Sequence, residues 1–131
     1  RQPLFYGMEE ETMKELVMII RPEKLEEIKE ILDTIHCGGM TISSVMGCGS
    51  QKGINTDDAA SVNEIRGFKT TINLLPKIYV EAVVEDKDVE TIITAVREKC
   101  ASDHVGDGKI FVRNIEEVIR IRTGERGVKA L

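Results

Sequence analysis

The sequence lacks several features that mark common functional classes. Tryptophan is absent and aromatic residues make up only 4% of the chain, so no platform for stacking nucleic-acid bases is visible. The net charge of −5 argues against general nucleic-acid binding, and phosphate affinity would need a local cluster of cations. No apolar run approaches the ~20 residues of a membrane span and no signal peptide is recognisable. A cytoplasmic protein is therefore expected.

Cysteine is also scarce. Cys37, Cys48 and Cys100 are an odd number at irregular spacings, a pattern that fits neither a disulfide framework nor a zinc site. We expect reduced thiols, and we expect His36 and His104 in loops or at helix ends. No Ser/His/Asp, Cys/His or paired-carboxylate arrangement stands out, so the sequence does not indicate an enzyme.

Hydrophobic periodicity predicts a strand–helix–strand unit in the first half of the chain. The apolar run from Leu16 to Ile20 is typical of a strand covered on both faces. Pro22 favours a helix start, and apolar residues then recur at helical spacing as far as Ile35. Gly38-Gly39 is expected to end this helix. A second strand follows from Met40 to Met46 and runs into Gly47-Cys48-Gly49.

The same order is predicted again in the second half. Alternating residues from Ile78 to Val84 indicate a third strand, and a helix follows from near Asp86 or Asp88 to Cys100. Lys109 to Arg113 fits a fourth strand. Two such units predict an α+β, ferredoxin-like βαββαβ sandwich over residues 13–131. A fifth strand, Val118 to Arg122, and a charged tail to Leu131 are added to it.

Two regions lie outside this regular pattern. Residues 1–12 have no clear periodicity and are expected to be a flexible extension or a non-native remnant, with Met13 as the natural start. Residues 50–75 lack a steady period although they connect two neighbouring strands. A loop of that length inside a compact domain usually has a function. We interpret it as a partner-binding loop; a merely tolerated insertion is the alternative.

Gly106-Asp107-Gly108-Lys109 carries the strongest chemical signal. Two glycines let a backbone turn approach a ligand closely, and the lysine adds a mobile charge. In a strand, Arg120 and Arg122 would lie on one face with Cα atoms roughly 7 Å apart, which suits several phosphates. A solvated strand face is the alternative, with Glu116 and Glu117 as ion-pair partners. Asp107 is interpreted as a turn former, with a contact to ribose or metal as the alternative. Alone, the run from Gly47 to Gly53 would indicate the base of a glycine-rich hairpin. Together with the 106–109 turn and the two arginines, it is interpreted as a second wall of a polyphosphate pocket.

These residues, in this order, resemble the PII family of nitrogen-signalling proteins, and the resemblance covers residues 13–131. It rests on Ile19-Ile20-Arg21-Pro22, Gly39-Met40-Thr41, Gln51-Lys52-Gly53, Leu75-Pro76-Lys77, the run from Gly106 to Val112, and Val118-Ile119-Arg120-Ile121-Arg122-Thr123-Gly124-Glu125.

The resemblance implies a homotrimer that binds ATP or ADP in clefts between subunits. The phosphates would meet Gly106, Asp107, Gly108 and Lys109 of one subunit, with Arg120 and Arg122 from its neighbour. The residues that would hold the base, the ribose and the loop root are Thr41, Gly47, Gly49, Ser50 and Gln51. Glu81 and Val83 match further wall positions of the same pocket.

The resemblance also implies 2-oxoglutarate as an effector beside Mg²⁺ and ATP. Gln51 would ligate the metal, and Lys77 would hold a ligand carboxylate, with Arg21 and Gly53 nearby. Arg66 matches a loop-tip arginine that plugs an ammonium transporter in some members, so membrane contact would come only through that channel. The loop is longer than the common pattern. Thr70 replaces the tyrosine that is uridylylated, and Ser50 replaces an arginine at the loop root.

The leading hypothesis is a nitrogen and energy sensor that controls an ammonium transporter through the 50–75 loop. A nitrogenase-regulating member is the alternative within the family, because of the longer loop and the Gly124-Glu125-Arg126-Gly127 run. A small phosphotransferase or ATPase using the same pocket is the alternative enzyme class. A trimeric interaction module with a degenerate pocket is the third hypothesis.

Overall fold

The computed structural model describes residues 12–49, 62–65, 68–71, 73–102 and 104–131. The predicted extension of residues 1–12 therefore lies outside the described residues, Thr12 apart. The strands and helices, in chain order, are β1 (Met13–Ile20), α1 (Leu25–Thr34), β2 (Thr41–Gly49), β3 (Val62–Ile65), β4 (Phe68–Thr71), β5 (Asn73–Glu85), α2 (Val89–Cys100) and β6 (Gly108–Ile115). No helix in this part of the chain is long and apolar enough to cross a membrane.

Four strands form one sheet in the order β2-β5-β1-β6, and every neighbouring pair is antiparallel. β1 and β2, which are joined through α1, are therefore parallel with β5 between them. β5 and β6, which are joined through α2, are parallel with β1 between them. This is the topology of the ferredoxin-like βαββαβ sandwich, so the predicted fold class is confirmed.

The register puts odd-numbered residues on one face of the sheet and even-numbered residues on the other. Residue 17, for example, pairs with residue 81 on β5 and with residue 111 on β6. The even face packs against both helices and forms the core, in which Leu16, Met18, Ile28, Leu32, Val80 and Ile92 are fully buried. We call the odd face, which carries no helix in the described structure, the open face.

The end of α1 differs from the prediction. The helix stops at Thr34, before Gly38-Gly39, because His36 adopts φ 58°. The His36 amide donates to the Asp33 carbonyl (2.9 Å) and the Cys37 amide to the Leu32 carbonyl (3.0 Å). These two bonds form a Schellman motif, in which a left-handed residue satisfies the last carbonyls of a helix. Histidine therefore takes the place usually given to glycine.

The long region between β2 and β5 contains two short strands. β3 and β4 pair antiparallel as a small second sheet, and β2 pairs with β5 as far as Gly49 and Asn73. The described part of this region is therefore a two-stranded antiparallel sheet that lies between β2 and β5 in the sequence.

The predicted fifth strand, Val118 to Arg122, is wrong in its extent. Residue 119 makes a single bridge to residue 126, and residues 121–123 form a turn. The Arg120 amide donates to the Glu125 carbonyl (2.9 Å) and the Gly127 amide to the Val118 carbonyl (2.9 Å). The segment pairs with the residues that follow it rather than with the sheet. Its extended backbone, and with it the alternation of side chains between two faces, therefore ends at Arg120.

Candidate functional site

The glycine turn requires both of its glycines. Gly106 and Gly108 have φ of 99° and 107°, a region that residues with a Cβ rarely adopt. A Cβ on Gly108 would stand 1.8 Å from the Ile19 carbonyl oxygen. The turn therefore lies directly against the end of β1.

A polar cluster fixes this turn from both sides. The Asp107 carboxylate accepts hydrogen bonds from the Ser102 amide (2.5 Å) and hydroxyl (2.6 Å), and from Arg21 Nε (3.3 Å). Arg21 Nη2 also donates to the Val105 carbonyl (2.6 Å), and Lys77 Nζ donates to the Gly106 carbonyl. The interpretation of Asp107 as a turn former agrees with these contacts.

The charges in the cluster shift two ionisation equilibria. The hydrogen bonds from Ser102 hold the pKa of Asp107 below its usual range; burial opposes them, and Arg21 adds to the lowering. Burial, with Arg21 nearby, lowers the pKa of Lys77, which is only 9% exposed. Asp107 is thus held ionised, while Lys77 is a poorly hydrated cation that a further anion would stabilise.

Gly47 belongs to the same neighbourhood. It pairs with Leu75 on β5, and a Cβ at this position would stand 3.0 Å from Lys77 Cγ. The bare backbone leaves space for the lysine stem to reach Gly106. Gly47, Lys77 and Gly106 therefore form a continuous wall, which we call the turn half.

Arg120 lies in a different environment. Its Nη1 pairs with Glu125 (2.9 Å), and its Nη2 donates to the main-chain oxygens of Lys129 (3.2 Å) and Leu131 (3.1 Å). Leu131 and Val128 share the walls of a small cavity with Val83 of β5. Arg122 is exposed within the 121–123 turn. We call Val83, Arg120 and Arg122 the arginine half.

The acidic partner of Arg120 differs from those considered in the solvated-strand alternative. Glu117 pairs with Arg126 (3.3 Å), whereas Arg120 pairs with Glu125. Glu125 was missed because it lies outside the predicted strand. The four-residue loop 121–124, with Gly124 at φ 75°, brings it back onto Arg120.

One chain does not bring the predicted phosphate ligands together. Residue 108 pairs with residue 20 and residue 115 with residue 13, so β6 runs the full length of β1. Seven steps along a strand separate its ends by about 23 Å. The glycine turn and Lys109 stand at one end, and Arg120 follows the other. Thr41 and Gly47, six residues apart on β2, are separated by about 20 Å.

The remaining predicted residues are placed as follows. Thr41 pairs with Glu81, whose carboxylate accepts a hydrogen bond from the Tyr79 hydroxyl (3.1 Å) on the open face. Gly49 ends β2 opposite Asn73. Ser50, Gln51, Gly53 and Arg66 lie outside the described residues. Ser102 orders the turn through Asp107, and this role was not predicted. The only signal in the sequence is that Ser102 lies five residues before an aspartate.

The three cysteines all lie among the described residues. Cys37 is half-buried, Cys48 exposed and Cys100 buried, and all three are free thiols. Among the described residues, no group of three or more His, Cys, Asp or Glu side chains could hold a metal ion.

The fold and the site define a class of protein. It is a ferredoxin-like domain with a glycine turn at one end of the sheet and two arginines, Arg120 and Arg122, at the other. Sequence comparison gives the family. The profile described as "Nitrogen regulatory protein P-II" matches residues 13–125. The chain belongs to the nitrogen regulatory protein P-II family. These proteins are signal transducers, so the expectation that the chain is not an enzyme is confirmed by its membership.

Two relatives cover almost the whole domain. Nitrogen regulatory protein P-II 2 of Methanothermobacter thermautotrophicus is 47% identical over 119 residues, covering 91% of this chain and 97% of the relative. Nitrogen regulatory protein P-II of Rhizobium meliloti is 43% identical over 119 residues, covering 91% and 100%.

Solved structures agree in fold. B. subtilis GlnK superposes with a TM-score of 0.72 at 31% identity, covering 92% of this chain and 99% of that chain. The B. subtilis GlnK–ATP complex gives 0.70 at 29% identity, covering 92% and 98%. Arabidopsis thaliana PII bound to citrate gives 0.69 at 32% identity, covering 92% of each chain.

Proposed function

We propose that this chain is a cytoplasmic sensor of nitrogen and energy status that binds ATP or ADP between subunits and controls a partner through the 50–75 loop. The observation that carries the proposal is the separation of Lys109 from Arg120 by the length of the sheet. Cations suited to one polyphosphate stand at opposite ends of the protomer, and two protomers complete one site.

A homotrimer supplies the required arrangement. Each outer strand of the sheet is an edge with exposed apolar side chains, Ile42 and Met46 on β2 and Phe111 and Val112 on β6. Such edges favour association. Three protomers related by a rotation would place the turn half of each beside the arginine half of the next.

The nucleotide contacts follow from this assembly. The positive φ of Gly106 and Gly108 leaves backbone amides available to phosphate oxygens, and Lys109 adds a point charge. Arg120 and Arg122 of the neighbour offer planar donors to the same oxygens. Thr41, Glu81 and Val83 would contact the base and ribose, and Gly47, Gly49, Ser50 and Gln51 would line the loop root. The relation to the B. subtilis GlnK–ATP complex supports ATP as the ligand.

A dicarboxylate effector fits the turn half. Lys77 is a nearly buried cation whose present acceptor is a neutral carbonyl, and a carboxylate would be a stronger partner. We assign this role to 2-oxoglutarate, with Arg21 and Gly53 nearby. The citrate-bound relative supports a site for a polycarboxylate. Mg²⁺ prefers hard oxygen ligands, so Gln51, the phosphates and the effector would bind it. The metal would then offset the negative charges of the phosphates and the effector.

The loop is the output of the sensor. A ligand shifts a conformational equilibrium only through its differential affinity for the two states. Coupling of ~1–3 kcal/mol would change partner affinity roughly 5- to 150-fold. We assign an ammonium transporter as the partner because of Arg66, and membrane contact arises only through that channel. Regulation of nitrogenase is the second candidate, favoured by the longer loop. An Arg66→Ala protein that still bound the transporter tightly would argue against the role of Arg66 in that contact, and co-purification from cells would separate the two candidates.

The test is calorimetry on the purified chain together with its mass in solution. ATP and ADP should each bind and compete, and 2-oxoglutarate should bind only when ATP and Mg²⁺ are present. The mass should be that of three chains. A monomer, or a chain without affinity for adenine nucleotides at millimolar concentration, contradicts the proposal.

A further inference from the structure

The guanidinium of Arg120 is held by the residues that follow it. Glu125 neutralises its charge through Nη1 (2.9 Å), and the main-chain oxygens of Lys129 and Leu131 both accept hydrogen bonds from Nη2 (3.2 and 3.1 Å). Thr123 donates its hydroxyl to the same Glu125 oxygen (3.0 Å) and keeps that carboxylate in place. We call residues 127–131 the closing segment.

These contacts leave no edge of Arg120 free for a phosphate. A guanidinium offers two bidentate edges, one formed by Nε and Nη2 and the other by Nη1 and Nη2. Both edges use Nη2, which already donates to two main-chain oxygens of the closing segment. Bidentate binding of a phosphate therefore requires at least one of these two bonds to break.

The closing segment is packed as well as hydrogen-bonded. A 3₁₀ turn covers Gly127–Ala130, and the Leu131 amide donates to the Val128 carbonyl (3.1 Å). A Cβ on Gly38 would stand 3.2 Å from the Leu131 carbonyl carbon, so the segment lies against the residues that follow α1. Val128 and Leu131 line the same small cavity as Val83. One segment thus holds Arg120 and shares a cavity with Val83, two residues of the arginine half.

We infer that the closing segment is an autoinhibitory contact that phosphate binding at Arg120 releases. The inference rests on the proposed function, because Arg120 must be a nucleotide ligand for the competition to matter. A phosphate replaces Glu125 as the counter-charge and replaces the two carbonyls as acceptors. Breaking the contacts between Arg120 and these residues costs free energy, which lowers the affinity for the nucleotide. Release of the closing segment would then signal that the nucleotide is bound, at the end of the sheet far from the loop root.

The first test compares ATP affinity across matched variants of the full chain by calorimetry. Glu125→Gln keeps the acceptor for Thr123 but removes the charge, and should bind ATP roughly two- to fivefold more tightly, the range of an exposed ion pair. Val128→Ala weakens the packing without a change in charge and should also tighten binding. Glu117→Gln is the control, because it removes the same charge from a neighbouring ion pair with Arg126 that does not involve Arg120. It should match wild type.

The second test measures hydrogen exchange of the closing segment. Saturating ATP should speed exchange of the Leu131 amide, whereas the β1 amides should be unchanged or slower. If wild type binds ATP but neither Glu125→Gln nor Val128→Ala binds it more tightly, and the Leu131 amide keeps its protection, the autoinhibitory contact is wrong while the proposed function stands. If wild type does not bind ATP, the proposed function fails and the inference with it.

Discussion

Arg21 Nε meets Asp107 Oδ1 at 3.3 Å and joins the end of β1 to a turn 86 residues further along the chain. The pair is partly shielded, with side-chain exposures of 31% and 24%. Ser102 donates to the same carboxylate. One aspartate therefore fixes the shape of the glycine turn, and the turn owes its rigidity to charge as well as to glycine.

Replacing Asp107 by Asn should lower the free energy of unfolding at pH 7 by about 1–2 kcal/mol, because charge-assisted hydrogen bonds are lost. The folded-state pKa of Asp107 lies below its usual value. Its contribution is therefore fully present above the unfolded pKa near ~3.9, and is lost as pH falls through the lower folded pKa. Urea unfolding between pH 7 and pH 2.5 should show the wild-type advantage disappearing in acid.

The double variant Asp107→Asn with Ser102→Ala tests whether the lost stability comes from the hydrogen bonds between these two residues. Because the two residues share their hydrogen bonds, the double variant should lose less than the sum of the single losses. Strict additivity, or a wild-type advantage over Asp107→Asn that stays constant down to pH 2.5, would exclude the proposed role of the carboxylate.

Gly108→Ala should be severely destabilising, by about 2–4 kcal/mol, because the new Cβ meets a backbone oxygen and φ is in the left-handed region. Gly39→Ala is the matched control: nothing lies within 4 Å of its added Cβ, and its effect should stay within about 0.5 kcal/mol. Thermal unfolding measures both. Equal melting temperatures for the two variants would mean that the turn does not press against Ile19.

Lys77→Met should abolish the response to 2-oxoglutarate while ATP still binds. The ammonium is nearly buried, and loss of a buried cation facing a carboxylate should weaken the effector by more than tenfold, or about 1.4 kcal/mol or more. Lys87→Met, which removes an exposed lysine paired with Glu85, is the control and should retain the response. Calorimetry with ATP and Mg²⁺ present makes the comparison, and equal effector affinity in the two variants would remove Lys77 from the site.

Gln51→Ala should keep ATP binding but lose the 2-oxoglutarate effect, because the amide oxygen is the protein ligand assigned to Mg²⁺. Titrating 2-oxoglutarate into the variant with ATP and Mg²⁺ measures this directly. Unchanged affinity for 2-oxoglutarate would refute the role of Gln51.

Much of the sandwich could be predicted because its patterns are local. Alternation from Ile78 to Val84 and helical spacing from Leu25 to Ile35 each bury one face, and the structure follows both. The end of α1 could not be predicted, because nothing in the sequence marks His36 as the residue that takes φ 58°. β3 and β4 are too short for their periodicity to stand out from a polar loop.

The candidate site was predictable in its residue types but not in its pairing. Alternation around Arg120 is the same for a strand of the sheet and for one limb of a short hairpin, so the hairpin with Glu125 was missed. The placement of Lys109 and Arg120 at opposite ends of the sheet depends on strand register. It follows from the pairing of residue 108 with residue 20 and of residue 115 with residue 13, because Arg120 comes after residue 115.

The central claim is that one phosphate site is built from two protomers, and mixed trimers test it most directly. Lys109→Ala and Arg120→Ala chains, each alone, should bind ATP weakly. When the two are unfolded and refolded together at equal concentration, roughly a quarter of the interfaces should combine an intact Lys109 with an intact Arg120 and regain wild-type affinity, because head-to-tail interfaces pair different surfaces of neighbouring chains. A mixture that binds no better than either variant alone would contradict the account.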